Sequence, residues 1–177
     1  MRPRYVVDTN VLIAASAGDP VSPSDIDATP ADPALRAQVW KWLHRFESSD
    51  ARLVLDRGGK IWHEYQRKLG FNDYGIQVVQ HKWSTAAVDD VDVPYDSDGN
   101  GVLPSDLSTV VHDRSDRKLV RAALAAHEEF GETAIAFAAD SDWFDWITAL
   151  QATGLQMEPV LEGWNRGIDT AKSGTSQ

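Results

Sequence analysis

Asp8 and Asp140 each close an apolar run, Tyr5–Val7 before the first and Thr133–Ala139 before the second. In open α/β sheets ligands collect at the carboxyl ends of the strands, which is where an acid ending a buried strand must lie. Two further acids stand in basic surroundings. Arg57, Lys60, Arg67 and Lys68 bracket Glu64, and Arg114, Arg117, Lys118 and Arg121 surround Asp116. Carboxylates set among cations suit a metal ion and a phosphate held together. Ordinary roles are open to the same residues. Asp8, Asp116, Asp140 and Asp142 are all fit to cap helices, and Glu64 with Lys68 makes a solvated i,i+4 pair.

The elements that must position these acids follow from periodicity and punctuation. Tyr5–Asp8 reads as a short buried strand, and Asp8 or Thr9 starts a helix running to about Ala17. A proline-bearing loop spans Gly18–Ala31. Asp32-Pro33 then opens a helix whose buried face is Leu35, Val39, Trp42, Leu43 and Phe46. A strand at Arg52–Leu55 and a turn at Asp56–Gly59 lead into a helix from Lys60 to about Leu69, with Ile61, Tyr65 and Leu69 as its stripe. Tyr74–Ala87 predicts another helix. Val88–Ser108 is acidic and turn-rich and predicts an inserted loop. Asp116–Glu129 is an alanine-rich helix with Leu119, Ala122, Ala123 and Ala126 inward, and Thr133–Ala139 is a strand. Asp140-Ser141-Asp142 caps a helix from Trp143 to about Thr153, Gln156–Val160 is an edge strand, and the final dozen residues fray. Strands alternating with helices imply an α/β fold, a three-layer α/β/α sandwich with a mostly parallel central sheet. The domain would cover residues 1–160, with a tail at 161–177.

Composition sets the bounds. The 177 residues fit one domain and one core. With 42% hydrophobic and 25% charged residues the chain is not a disordered one. No run reaches the ~18 apolar residues of a membrane span, and Asp8 and Asn10 break the amino-terminal apolar stretch where a secretory signal would not. The absence of cysteine excludes a disulfide framework, thiolate metal sites and a cysteine nucleophile. The expected location is cytoplasmic, with no membrane partner. Seventeen basic against 27 acidic residues give a net charge of −10, so nucleic acid is not held by phosphate contacts alone.

Taken in order, four segments carry a resemblance. Val6–Ile13 (VVDTNVLI) resembles the opening motif of PIN-domain nucleases. LDRGGKIWHEY supplies an acid on the third helix at Glu64, HDRSDRKLVRAALAA one at Asp116, and IAFAADSDWF one at Asp140 with Asp142 two residues on. The similarity spans residues 5 to 146. Ala138 departs from it, standing where family members often have Thr or Ser. The resemblance implies a PIN-like fold and a metal-dependent endoribonuclease acting on single-stranded or structured RNA, with a toxin-like role and DNA both left open. Mg²⁺ or Mn²⁺ would be held by Asp8, Glu64, Asp116 and Asp140, with Asp142 and Asp113 as auxiliary ligands. Asn10 would orient the first acid or a water, and the hydroxyls of Thr9 and Ser141 would line the pocket. Products would carry 5′-phosphate and 3′-hydroxyl ends. An antitoxin-like protein and a second copy of the chain are the protein partners it suggests. A PIN-like scaffold without turnover, binding RNA or a protein through the same cleft, is the alternative.

Such a carboxylate set has a chemical rationale. Hydrolysing a phosphodiester requires an activated water and neutralisation of transition-state charge, and hard divalent cations with oxygen ligands provide both. Other motifs fare worse. DTNVL is similar to the start of haloacid-dehalogenase-like phosphatases, but Asn10 occupies the acid/base position and an amide cannot shuttle a proton. HEYQR begins like a zinc-protease motif, yet Arg67 stands at the second ligand position. No G-x-S-x-G elbow accompanies the histidines. DSDGNGVLPSD at Asp96–Asp106 resembles a calcium loop over its first six positions, but Leu107 holds the twelfth. Among seven tryptophans, Trp42 and Trp146 are expected in the core, and Trp62 has the alternatives of packing or stacking on an unpaired base.

Overall fold

The computed structural model describes residues 1–161. Its elements run β1 (Arg4–Val7), α1 (Thr9–Ala17), α2 (Pro33–Ser48), β2 (Arg52–Asp56), α3 (Lys60–Lys68), α4 (Tyr74–Ser84), β3 (Val88–Val91), α5 (Ser105–Val110), α6 (Arg117–Phe130), β4 (Ala134–Phe137), α7 (Asp142–Gln151) and β5 (Gln156–Pro159). The five strands form one sheet in the order β3-β2-β1-β4-β5, every pair parallel. Strand order reverses between β1 and β4, since the chain builds outward from β1 through β2 to β3 and then returns to β1's other side. Crossovers diverge at such a switch point and leave a crevice above the carboxyl ends of the two strands.

Burial explains the strand sequences. Tyr5, Val6 and Val7 of β1 and all of Ala134–Phe137 of β4 are fully buried, the continuous apolar pattern of strands covered on both faces. The helices α1, α2, α3 and α4 pack among themselves, while α6 lies along β1 to β4, α7 packs on β5, and α5 packs on α7. This grouping is compatible with a three-layer α/β/α arrangement. Gly75 sets the closest helix approach. A Cβ there would come within 2.8 Å of both the Cβ and the carbonyl oxygen of Leu12, so α4 crosses α1 only because residue 75 has no side chain. Asp32 caps α2 as its sequence predicts, accepting from the amides of Ala34 (2.7 Å) and Leu35 (3.2 Å).

Three expectations need correction. Val88–Val91 is not loop but the edge strand β3, paired along β2 from Leu53↔Val88 to Asp56↔Val91. Its Asp89 is buried and accepts from Arg4 Nε and Arg52 Nε, each at 2.7 Å, so two arginines on the neighbouring strands compensate an acid that reads as a loop residue. The remainder of the expected loop also contains a short helix, α5. Leu161, assigned to the tail, is 2% exposed and belongs to the core, whereas the rest of the tail, with Trp164, lies outside the described residues. Asp89→Ala is expected to cost about 2–4 kcal/mol, because it leaves two partly buried guanidinium groups facing each other. Urea denaturation checks this, and an unchanged midpoint would refute the compensation. Among the described residues no helix is long and apolar enough to cross a membrane.

Candidate active site: an acid cluster at the strand switch point

Asp8 follows β1 directly and Asp140 follows β4 by three residues, so the two flank the crevice. The Asp8 amide donates to the carbonyl of Ala136 on β4 (2.9 Å), which pins the backbone of Asp8 to the neighbouring strand. Beyond β4 the chain turns at Ala139, whose φ of +56° is left-handed. For a residue with a Cβ that conformation costs about 1–2 kcal/mol, and it bends the chain immediately before Asp140. Glu64 comes from α3, beside the buried stripe of Ile61 and Tyr65. The Tyr65 hydroxyl donates to the carbonyl of Val7 at 2.5 Å inside the core, and this buried bond ties α3 to the last residue of β1. Asp116 precedes α6.

The four acids are close enough to act on one another. Asp8 is buried and its carboxyl is pushed well above the usual carboxylate range, first by burial and then by Asp116, Asp140 and Glu64, against a smaller opposing pull from the Asn10 amide. Burial also raises Asp116, to about 7, with Asp113, Asp140 and Glu64 adding to it and Lys118 opposing. Asp140 is raised too, chiefly by burial, with the charges of Asp142 and Asp113 contributing. One oxygen of Asp8, Oδ2, is buried without a hydrogen-bond partner. An unpaired buried carboxylate oxygen facing other acids is costly unless a cation or a proton joins it.

Capping does not account for Asp8 or Asp116. Each precedes a helix, and neither side chain makes a cap hydrogen bond. Asp56 provides the contrast. It too ends a strand at the carboxyl edge, but its oxygens accept from the amides of Lys60 (2.9 Å) and Ile61 (2.8 Å) and from the Tyr95 hydroxyl (2.8 Å). Position after an apolar strand does not distinguish Asp56 from Asp8; the amide count does. Asp56→Ala should therefore cost about 2–3 kcal/mol in folding stability. A thermal scan showing no loss would contradict that assignment.

The remaining candidates divide. Thr9 Oγ1 donates to Glu64 Oε1 (2.5 Å), and the Lys118 ammonium pairs with Glu64 Oε2 and donates to the carbonyl of Ser115. The expected Glu64–Lys68 pair is replaced by this contact with α6. Asp140 Oδ1 accepts from the Asp142 amide (2.9 Å), whereas the Asp142 carboxylate faces His112 Nε2 at 3.4 Å and is turned to that partner. Asn10 is half-buried on the first turn of α1, and Asp113 accepts from the amide and hydroxyl of Ser115. Among the described residues no three acidic or histidine side chains are already arranged as a ligand set for one ion. The acids are gathered, but Glu64 is engaged by Lys118 and Asp142 by His112. Lys118 is the neighbour of the acids that helix periodicity does not show, because its partner lies 54 positions away; its only sequence signal is its place in the basic run after Asp116.

Two other expectations are placed as follows. Asp96 accepts from the amides of Asp98 (3.0 Å) and Asn100 (2.8 Å) and from the Asn100 side chain, so the calcium-loop-like segment satisfies its first acid internally. Trp62 packs edge-on against Trp83, with ring centroids 5.3 Å apart.

Compared with known protein families, curated proteins and solved structures, the chain matches none.

Proposed function

We propose that the chain is a divalent-cation-dependent endoribonuclease of the PIN type, with Asp8, Glu64, Asp116 and Asp140 as the residues that hold Mg²⁺ or Mn²⁺. The observation that carries this reading is the buried, partnerless Oδ2 of Asp8 among acids that raise one another. The donor set is all oxygen, which suits a hard cation and not a soft one. When bound, such a cation supplies Lewis acidity toward a phosphoryl oxygen and a water.

The chain's own residues do the rest. Asp8 is held in place by the hydrogen bond its backbone N–H donates to β4 and by the Tyr65 anchor beside it. Thr9 and Lys118 fix the direction of Glu64, and the Lys118 ammonium is placed to meet phosphate charge next to the acids. The resemblance gives Asn10 an orienting role, and its backbone N–H already favours the charged form of Asp8. The acidic net charge fits this arrangement, since a cation between two negative partners replaces a broadly basic surface.

One observation favours a second reading, a PIN-like scaffold without turnover: Lys118 already neutralises Glu64. Labelled single-stranded RNA incubated with Mn²⁺ separates the two. The ribonuclease reading expects 5′-phosphate products from the wild type and none from Asp8→Asn or Asp116→Asn. Cleavage unaffected by both substitutions would remove it, and a wild type that binds RNA but never cuts would leave the scaffold.

A further inference from the structure

We infer that the hollow on the α3 flank of the acid cluster is a subsite for a second phosphate of the bound strand, a neighbour of the one at the acids. This rests on the ribonuclease reading for the position of the first phosphate. The hollow measures about 290 Å³ and is lined by Lys60, His63 and Arg67 of α3, by Lys118 of α6, and by Gly99 and Asn100 of the loop before α5. Residues 60, 63 and 67 fall on one face of a helix whose opposite face, Ile61 and Tyr65, is buried in the core. The same periodicity places Glu64 on the hollow's wall, so the hollow and the acid cluster share that residue and Lys118.

Charge and continuity with the acids together single this place out, since Lys41 and Arg45 are also without a carboxylate within 4.0 Å but line a hollow that none of the four acids borders. In a chain of net charge −10, Arg4, Arg52, Arg57 and Arg114 all have carboxylate partners. Among the described residues Lys60 and Arg67 have none within 4.0 Å, and both point into one hollow. Three cations against the single carboxylate of Glu64 leave the lining net positive even with His63 neutral. Lys60 is held there by the Tyr95 ring, 4.6 Å from its ammonium to the centroid, and by the absence of a side chain at Gly99, where a Cβ would come within 2.9 Å of Nζ. A guanidinium and ammonium groups converging on a space of this size suit a tetrahedral phosphoryl group. Its continuity with the acid cluster points to a phosphate on the same strand.

The test is equilibrium binding of a short fluorescein-labelled single-stranded RNA, followed by anisotropy over a salt series. The Asp116→Asn background is used, which on the reading above does not cut. Adding Lys60→Ala with Arg67→Ala should raise Kd about tenfold or more, and should lower the slope of log K against log salt by about 0.7, the share of the one phosphate no longer neutralised. Lys41→Ala with Arg45→Ala is the control. It removes the same charge from a larger hollow on α2, about 490 Å³, whose walls include none of the four acids. Equal losses from both pairs, or no loss from the first, would overturn the subsite. So would a poly-glutamate peptide that depends on Lys60 and Arg67 where RNA does not. RNAs with 5′-hydroxyl and 5′-phosphate ends separate the two sources: equal losses assign an internal diester, and a loss confined to the phosphorylated strand assigns a terminal phosphate. If circular dichroism shows the double variant unfolded, Arg67→Glu, at an exposed position, repeats the measurement. The ribonuclease reading is scored separately, by whether the wild type cuts and Asp116→Asn does not.

Discussion

Asp8→Asn is expected to lower Mn²⁺-supported RNA cleavage by about a thousandfold, the scale on which a preorganised charge-stabilising group acts. At the same time it should make the metal-free protein more stable at neutral pH by about 1–3 kcal/mol. The opposite signs are the point. The Asp8 carboxylate is buried, one oxygen has no partner, and three acids push on it. An amide of the same shape removes the charge and keeps the volume. A residue present only for structure would lose stability on substitution and affect cleavage through unfolding, as expected for Asp56→Ala. Urea denaturation in EDTA, set beside a cleavage time course in Mn²⁺, reads both effects. A destabilised variant, or one that cuts at the wild-type rate, would end this account of Asp8.

The second large effect concerns pH. Without metal, the wild type should lose stability as pH rises from about 4 to 7, and Mn²⁺ should restore it. The sign follows from proton linkage. Asp116 is raised from its ordinary value near 3.8 to about 7, and Asp8 and Asp140 are raised as well. Between the unfolded and folded values the native state holds more protons than the unfolded chain, so stability falls with increasing pH. For Asp116 that window runs from about pH 4 to about pH 7, and with partial exposure discounted it contributes roughly 2–3 kcal/mol. Asp96 and Asp113 are shifted down, Asp96 mainly by the Asn100 amide, and Asp113 by Ser115 against its burial. Their contributions run the other way but are complete above the ordinary carboxylate range, so they do not cancel the trend. A ligand at a hundred times its Kd adds about 2.7 kcal/mol to the folded state, enough to reverse it. Denaturation curves at several pH values, with EDTA and with Mn²⁺, test this. A stability that climbs from pH 4 to pH 7 in EDTA, with no response to Mn²⁺, would contradict it.

Much of the frame is legible in the chain because local signals agree with tertiary ones. The buried runs at β1 and β4, the Asp32-Pro33 start of α2 and the alanine-rich α6 each say the same thing by periodicity, capping and burial. β3 was not legible. Val88–Val91 carries two adjacent acids, and only Arg4 and Arg52, brought alongside by β1 and β2, make one of them tolerable inside a sheet. The cluster was legible as a set of acids at strand and helix ends, but not in its internal pairing. Glu64 reads as the partner of Lys68 one turn along, and the fold supplies Lys118 instead. Asp56 and Asp8 look alike in sequence, both being aspartates after apolar strands. Whether amides or other acids surround such a group is decided by loops and neighbours that no local window contains.

The hydroxyl of Tyr65 on the carbonyl of Val7 has a consequence for how such a protein can vary over time. Glu64 and Asp8 are the chain neighbours of the two bonded residues, so their separation is set by a rigid anchor and not by the length of any connecting segment. Insertions or deletions in the stretch between β3 and α6, or ahead of α2, can accumulate without disturbing that half of the constellation. Loss of the phenol in a descendant chain would release it at once.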